Sequence, residues 1–128
     1  MNLEKISVVL VEDDHDLAEI MQMALEDEGL RVRVAHEGQS GLDLIDEVHP
    51  DVIVTDLVMP VLDGLGLIQR HCLRPGHRAP VIAVSAVGSR LRAARDLGAV
   101  ETLVKPVLPS ELAAVVRKAA RRSPPPHA

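Results

Sequence analysis

A chain of 128 residues, 47% of them hydrophobic and with a formal net charge of −5, is sized for one domain with a real buried core. It holds no Phe, Tyr or Trp, which removes the aromatic platforms that would stack single-stranded bases or a flavin ring. Its single cysteine, Cys72, leaves no internal disulfide, and no leader peptide or membrane-length apolar run is visible, so the expected location is cytoplasmic with no membrane partner. Charge is unevenly divided: residues 1–64 carry 3 Lys/Arg against 16 Asp/Glu (−13), and residues 65–128 carry 11 against 3 (+8). The acidic half argues against nucleic-acid binding by this chain, and no recognition-helix motif is present.

In chain order, residues 6–11 form a short apolar run ending in Glu12-Asp13-Asp14, which reads as a buried strand. Leu17, Ile20, Met21, Ala24 and Leu25 follow at helical spacing and predict a core-facing stripe. Asp14 suits the N-cap, Asp16 with Glu19 is a rival capping box, and Gly29 suits the helix stop. Residues 31–35 alternate charged and apolar, as an edge strand does. Gly41, Leu44, Ile45 and Val48 mark a second helix ended by His49-Pro50. Residues 52–56 are a third strand that runs straight into Asp56. Met59-Pro60 and Asp63-Gly64 then turn the chain into a helix over residues 64–74. Pro75-Gly76 breaks it, and residues 80–84 form a fourth strand ending at Ser85-Ala86. Leu91, Ala94 and Leu97 mark a helix stopped by Gly98, and residues 102–104 a fifth strand ending at Lys105-Pro106. Pro109 starts a last helix striped by Leu112, Val115, Val116, Ala119 and Ala120, with Arg121 and Arg122 at its end. The prediction is an α/β fold, a doubly wound five-stranded parallel sheet of five βα units, over residues 1–122. Residues 123–128, rich in proline, read as an extended flexible tail.

In such a sheet the C-terminal ends of all strands share one edge, where ligands bind. Glu12, Asp13, Asp56, Ser85 and Lys105 all fall there. Gathered carboxylates repel one another, and a hard divalent cation such as Mg2+ relieves them with all-oxygen ligation. Lys105 supplies a compact positive charge for a phosphate-like anion and Ser85 a hydrogen bond to it. Each group also has a plainer reading: Asp13-Asp14 as a helix start, Asp56 as a turn residue, Ser85 as a strand-end hydroxyl, Lys105-Pro106 as a loop. Their joint placement favours a shared site.

The ordered set Val9-Leu10-Val11-Glu12-Asp13-Asp14, Asp56-Leu57-Val58-Met59-Pro60 with Asp63-Gly64, Ser85-Ala86, Gly98-Ala99 and Lys105-Pro106 resembles the receiver domain of two-component response regulators. The resemblance implies a flavodoxin-like fold with strand order 2-1-3-4-5. It makes Asp56 the phosphoacceptor, charged by a histidine kinase or a histidine phosphotransfer protein. Mg2+ would be held by Asp13, Asp56 and the backbone carbonyl of Val58, with Glu12 acting through water. Asp14 would be a helix cap, Lys105 the partner of the acyl phosphate, and Lys105-Pro106 a cis peptide. Pro60, Gly64 and Pro106 would be structural. Such a domain catalyses its own phosphorylation and dephosphorylation and is not a turnover enzyme on a separate substrate. Output would pass to a downstream protein, to an output domain beyond this chain, or through a phosphorylation-dependent homodimer.

Three features depart from that pattern. The switch pairs a hydroxyl, here Ser85, with a position usually aromatic, here Thr102. The segment between Ser85-Ala86 and Gly98-Ala99 is about two residues short, and it carries Arg90, Arg92 and Arg95, which with Arg117 and Lys118 would suit an acidic partner or simple solvation. Val58 and Val87 stand where polar side chains would orient an attacking water, which implies a long-lived phosphoryl group. The alternative is a pseudo-receiver, an interaction or dimerisation module without phosphotransfer. An aspartate-nucleophile phosphohydrolase would want a second acid at Val58. A flavin carrier would want aromatics and a phosphate loop. The six histidines show no zinc-like spacing.

Overall fold

The computed structural model describes residues 5–75 and 78–122; residues 1–4, Gly76, His77 and the Pro-rich residues 123–128 lie outside it. Strands and helices alternate: β1 (Ser7–Val11), α1 (His15–Asp27), β2 (Arg31–Ala35), α2 (Gly38–Val48), β3 (Val52–Asp56), α3 (Gly64–Cys72), β4 (Val81–Ser85), α4 (Gly88–Leu97), β5 (Glu101–Val104) and α5 (Pro109–Arg122). All strands are parallel, in the order β2-β1-β3-β4-β5. The central strands β3 and β4 are buried along their whole length, whereas β2 alternates exposed and buried, as its edge position requires.

Because strand side chains alternate, the sheet feeds two separate cores. Val8, Leu10, Val52, Val54, Ile82 and Val84 point toward α1 and α5 and pack with Leu25, Leu112 and Val116. Val9, Val11, Ile53, Val81 and Ala83 point the other way, against Leu42, Ile45, Leu67, Ile68 and Leu91 of α2, α3 and α4. Aliphatic side chains fill both layers.

Local signals mostly act as expected. The Asp14 side chain accepts from the N–H of Leu17 and caps α1, so the Asp16/Glu19 box is not used. Gly29, at φ 92°, takes the left-handed turn after α1. The stripe of α1 departs from the sequence reading at Ile20, which is 62% exposed; Met21 and Leu25 face the core as expected, and Ala18 joins them. Gln22 lies on that inner side because its amide donates to the Val32 carbonyl at 3.0 Å, a partner that periodicity alone does not reveal. On α2, Gly38 and Leu42 join Gly41 and Ile45 in the core. Helix α3 ends at Cys72, two residues before the predicted stop, after burying His71.

Candidate functional site

Each site residue sits where a buried strand gives way to a loop. Glu12 and Asp13 follow β1, Asp56 closes β3, Ser85 closes β4 and Lys105 follows β5. Strand order places the ends of β1 and β3 side by side and Lys105 across from both. The Lys105 Nζ lies 3.3 Å from Glu12 Oε1 and 3.3 Å from Asp56 Oδ2. Glu12 and Asp56 are nearly buried, at 7% and 8% exposure, and Asp13 is half-buried. Glu12, Asp13 and Asp56 each offer a carboxylate oxygen, all within 4.8 Å of one another.

The backbone holds these groups in register. The Asp14 N–H donates to Glu12 Oε2 at 3.2 Å, and the Glu12 N–H donates to the Ala35 carbonyl at 3.0 Å. The Thr55 hydroxyl, fully buried, donates to the Asp56 carbonyl at 2.9 Å. Gly64 lies so close beneath that a Cβ there would sit 2.2 Å from the Asp56 carbonyl oxygen. Only glycine fits this turn. Lys105 is anchored by its own N–H, which donates to the Ser85 carbonyl at 3.0 Å, and the Lys105–Pro106 peptide is cis.

The electrostatics are lopsided. Burial pushes the Glu12 carboxyl above its ordinary value; the Asp14 N–H pulls it back, and the Asp56 charge pushes it up again. Burial pulls the Lys105 ammonium down, but Asp56 and Glu12 outweigh it and leave it raised. An ion pair should favour the charged form of both partners, yet Glu12 moves the other way. For the acid, lost hydration and a like-charged neighbour exceed what a single shared ammonium returns. The site is short of positive charge. Its donors are all carboxylate oxygens in close reach of one another, and that chemistry fits Mg2+.

Ser85 is almost completely buried, and its Oγ accepts from the Val87 N–H at 3.1 Å, so it already holds the residue that opens α4. Val58 and Val87 lie on the rim with exposed side chains, and Pro60 is exposed in the same loop as Val58. Thr102 stands apart from the acids: its hydroxyl accepts from Arg95 Nη2 at 2.8 Å, tying β5 to α4. Of the surface cations, Arg90 pairs with Asp63 at 3.9 Å and Lys118 with Glu101 at 3.6 Å. Arg117 donates to the Glu28 carbonyl and pairs with its carboxylate at 3.4 Å. A cavity of about 390 Å3 opens beside the acids on the α1/α5 side, walled by Leu10, Leu17, Met21, Val54 and Leu112, with Glu12, Asp56 and Lys105 on its polar wall.

Two residues near the acids gave no signal in the sequence. His36 Nδ1 lies 3.0 Å from the Glu12 carbonyl oxygen, and its ring stacks on that of His15. They are 21 positions apart, and only the pairing of β1 with β2 brings them together.

Among the described residues, no helix is long and apolar enough to cross a membrane. The sequence model of the response regulator receiver domain matches residues 8–117. The chain is 39% identical over 118 residues to the transcriptional regulatory protein CpxR of Escherichia coli strain K12, a match covering 91% of this chain and 50% of CpxR. It therefore spans about half the length of that relative. It is also 35% identical to a 14.6 kDa protein of Leptolyngbya boryana, with 96% of both chains covered. The solved receiver domain of a Francisella response regulator superposes with a TM-score of 0.83 at 29% identity, covering 94% of this chain and all of that one. The fold is thus that of a known group: the chain belongs to the response regulator receiver domain family of two-component systems.

Proposed function

We propose that this chain accepts a phosphoryl group on Asp56 from the phosphohistidine of a kinase or phosphotransfer protein. The observation that carries the reading is Lys105 Nζ at 3.3 Å from Asp56 Oδ2, in a site that still lacks positive charge. In the transfer, an Asp56 carboxylate oxygen attacks phosphorus in line and the P–N bond breaks. Its electron pair returns to the donor imidazole, leaving an aspartyl phosphate. Lys105 faces the incoming phosphoryl oxygens, and the Thr55 hydroxyl bond and the close approach of Gly64 at the Asp56 carbonyl hold the backbone that carries the attacking carboxylate. Asp13, Asp56 and the Val58 carbonyl would hold Mg2+, with Glu12 acting through water. The ion supplies positive charge against the transferring group. The domain runs over residues 1–122, works in the cytoplasm, and passes its signal to a downstream protein, an output domain or a second copy of itself.

Readout follows from Ser85 and α4. A Ser85 hydroxyl turned toward the phosphoryl group leaves the Val87 N–H, and with it the start of α4. Arg95 bonded to Thr102 takes the place of a swinging ring and holds the far end of that helix. A structure with a beryllofluoride phosphate mimic is expected to show the loop over residues 85–87 displaced; an unmoved loop removes this part of the reading.

Acetyl phosphate with Mg2+, followed by intact mass, tests the acceptor directly. The wild-type chain gains one phosphoryl group and Asp56→Asn gains none. No adduct on either chain would favour a pseudo-receiver.

A further inference from the structure

The Glu12–Asp13 peptide joins two of the three gathered carboxylates, and the backbone of Glu12 is held at both its N–H and its carbonyl. The Glu12 N–H donates to the Ala35 carbonyl at 3.0 Å. Its carbonyl oxygen lies 3.0 Å from His36 Nδ1. A carbonyl can only accept, so Nδ1 carries the proton and donates. The His36 ring is in turn fixed by His15, with ring centroids 3.7 Å apart and planes 10° from parallel. His15 opens α1 directly after the capping Asp14. The two imidazoles therefore close a clasp from the end of β2, across the acid turn, to the start of α1. They are not themselves a chelating pair. Lone pairs lie in the ring planes, and in face-to-face rings these run side by side without converging on one ion.

We infer that His36 is a positioning residue for divalent-cation binding, with His15 as its buttress. This rests on the reading of Glu12, Asp13 and Asp56 as a Mg2+ site. The hydrogen bond sets the orientation of the peptide joining Glu12 to Asp13, and so the direction in which both carboxylates leave the backbone. Without it, the turn has more orientations, and a cation must order them on binding. Groups one bond removed from a ligand commonly matter at this level: losing such a partner costs about 10-fold or more in metal affinity.

Titration of the full chain with Mn2+, read by the electron paramagnetic resonance of the free ion and displaced with Mg2+, tests the inference. His36→Leu keeps bulk and removes the donor, and is expected to bind about tenfold more weakly than wild type. His36→Asn, whose amide N–H can take the place of Nδ1–H, restores most of the affinity. His15→Ala removes only the stack and weakens binding about two- to threefold. Equal affinity in His36→Leu and wild type, with unchanged circular dichroism, overturns the inference and leaves the metal site standing. His36→Asn binding as weakly as His36→Leu also overturns it, by assigning the effect to ring packing. If His36→Leu fails to fold, His36→Asn and His15→Ala against wild type decide by the same criteria. A wild-type chain that binds no Mn2+, like an Asp13→Asn control, overturns the metal site itself.

Discussion

Burial of ionisable groups has opposite outcomes in two regions of this molecule. At the C-terminal edge of β1 and β3, Glu12, Asp13 and Asp56 gather, and the Lys105 ammonium meets Glu12 and Asp56. Under α3, His71 is 3% exposed, with Nε2 2.9 Å from the Ala79 carbonyl and Nδ1 without a hydrogen-bond partner among the described residues. Both regions lose water. The first keeps several charged groups within reach of one another and open to the cavity, so a cation or anion can complete it. In the second a single carbonyl takes Nε2, and burial first, with the Arg74 and Arg78 charges behind it, pulls the His71 pKa below its ordinary value. Burial by itself does not mark a functional group; burial among uncompensated charges does.

The largest effect should come from removing the ammonium. Lys105→Met leaves Glu12 and Asp56 facing each other without their shared partner and strips the transferring group of a positive neighbour. Phosphorylation of Asp56 by acetyl phosphate is expected to slow about 100-fold. A rate within threefold of wild type would erase the contrast between the two regions. Next, Val58→Asn combined with Val87→Glu introduces polar groups at the rim, able to orient water toward the phosphoryl group. Loss of the adduct, followed by mass over time, should speed by about tenfold. An unchanged decay would mean that the exposed valines do not control water access.

The smallest effect concerns the second region. Nε2 of His71 donates to Ala79, so a proton taken up on Nδ1 would place a charge and an unpaired N–H in the core. Below the ordinary value of 6.5, the unfolded chain binds a proton on His71 that the folded chain resists. The stabilising effect is full above 6.5. It is lost progressively as pH falls from there toward the lower folded-state value. Denaturation midpoints measured between pH 8 and 5 should show this decline, and His71→Gln, which keeps a donor for Ala79, should flatten it. An identical pH slope in both chains would place the titration elsewhere.

Much of this was legible in the residues, and the reasons differ by element. The apolar run into Asp56 could only be a strand covered on both faces, because β3 has no polar side to show. Asp14 as cap and Gly29 as stop followed from local backbone chemistry. Ile20 misled because five apolar residues at helical spacing define a broad arc, and packing against the sheet chose which part of it turned inward. The arginines of α4 read as suited to an acidic partner or to simple solvation, and the sequence did not show that Arg90 and Arg95 also reach Asp63 and Thr102 of this chain.

The sequence by itself determined the alternation of strands and helices, the family, and which residues stand at strand ends. Those properties depend on neighbours within a turn or two and on the order of motifs along the chain. Only the tertiary structure decided distances. It put Lys105 3.3 Å from a carboxylate 93 positions away, seated His36 on the Glu12 carbonyl, and tied Thr102 to Arg95. Strand order and crossover packing set those separations, and no local pattern in the chain encodes them.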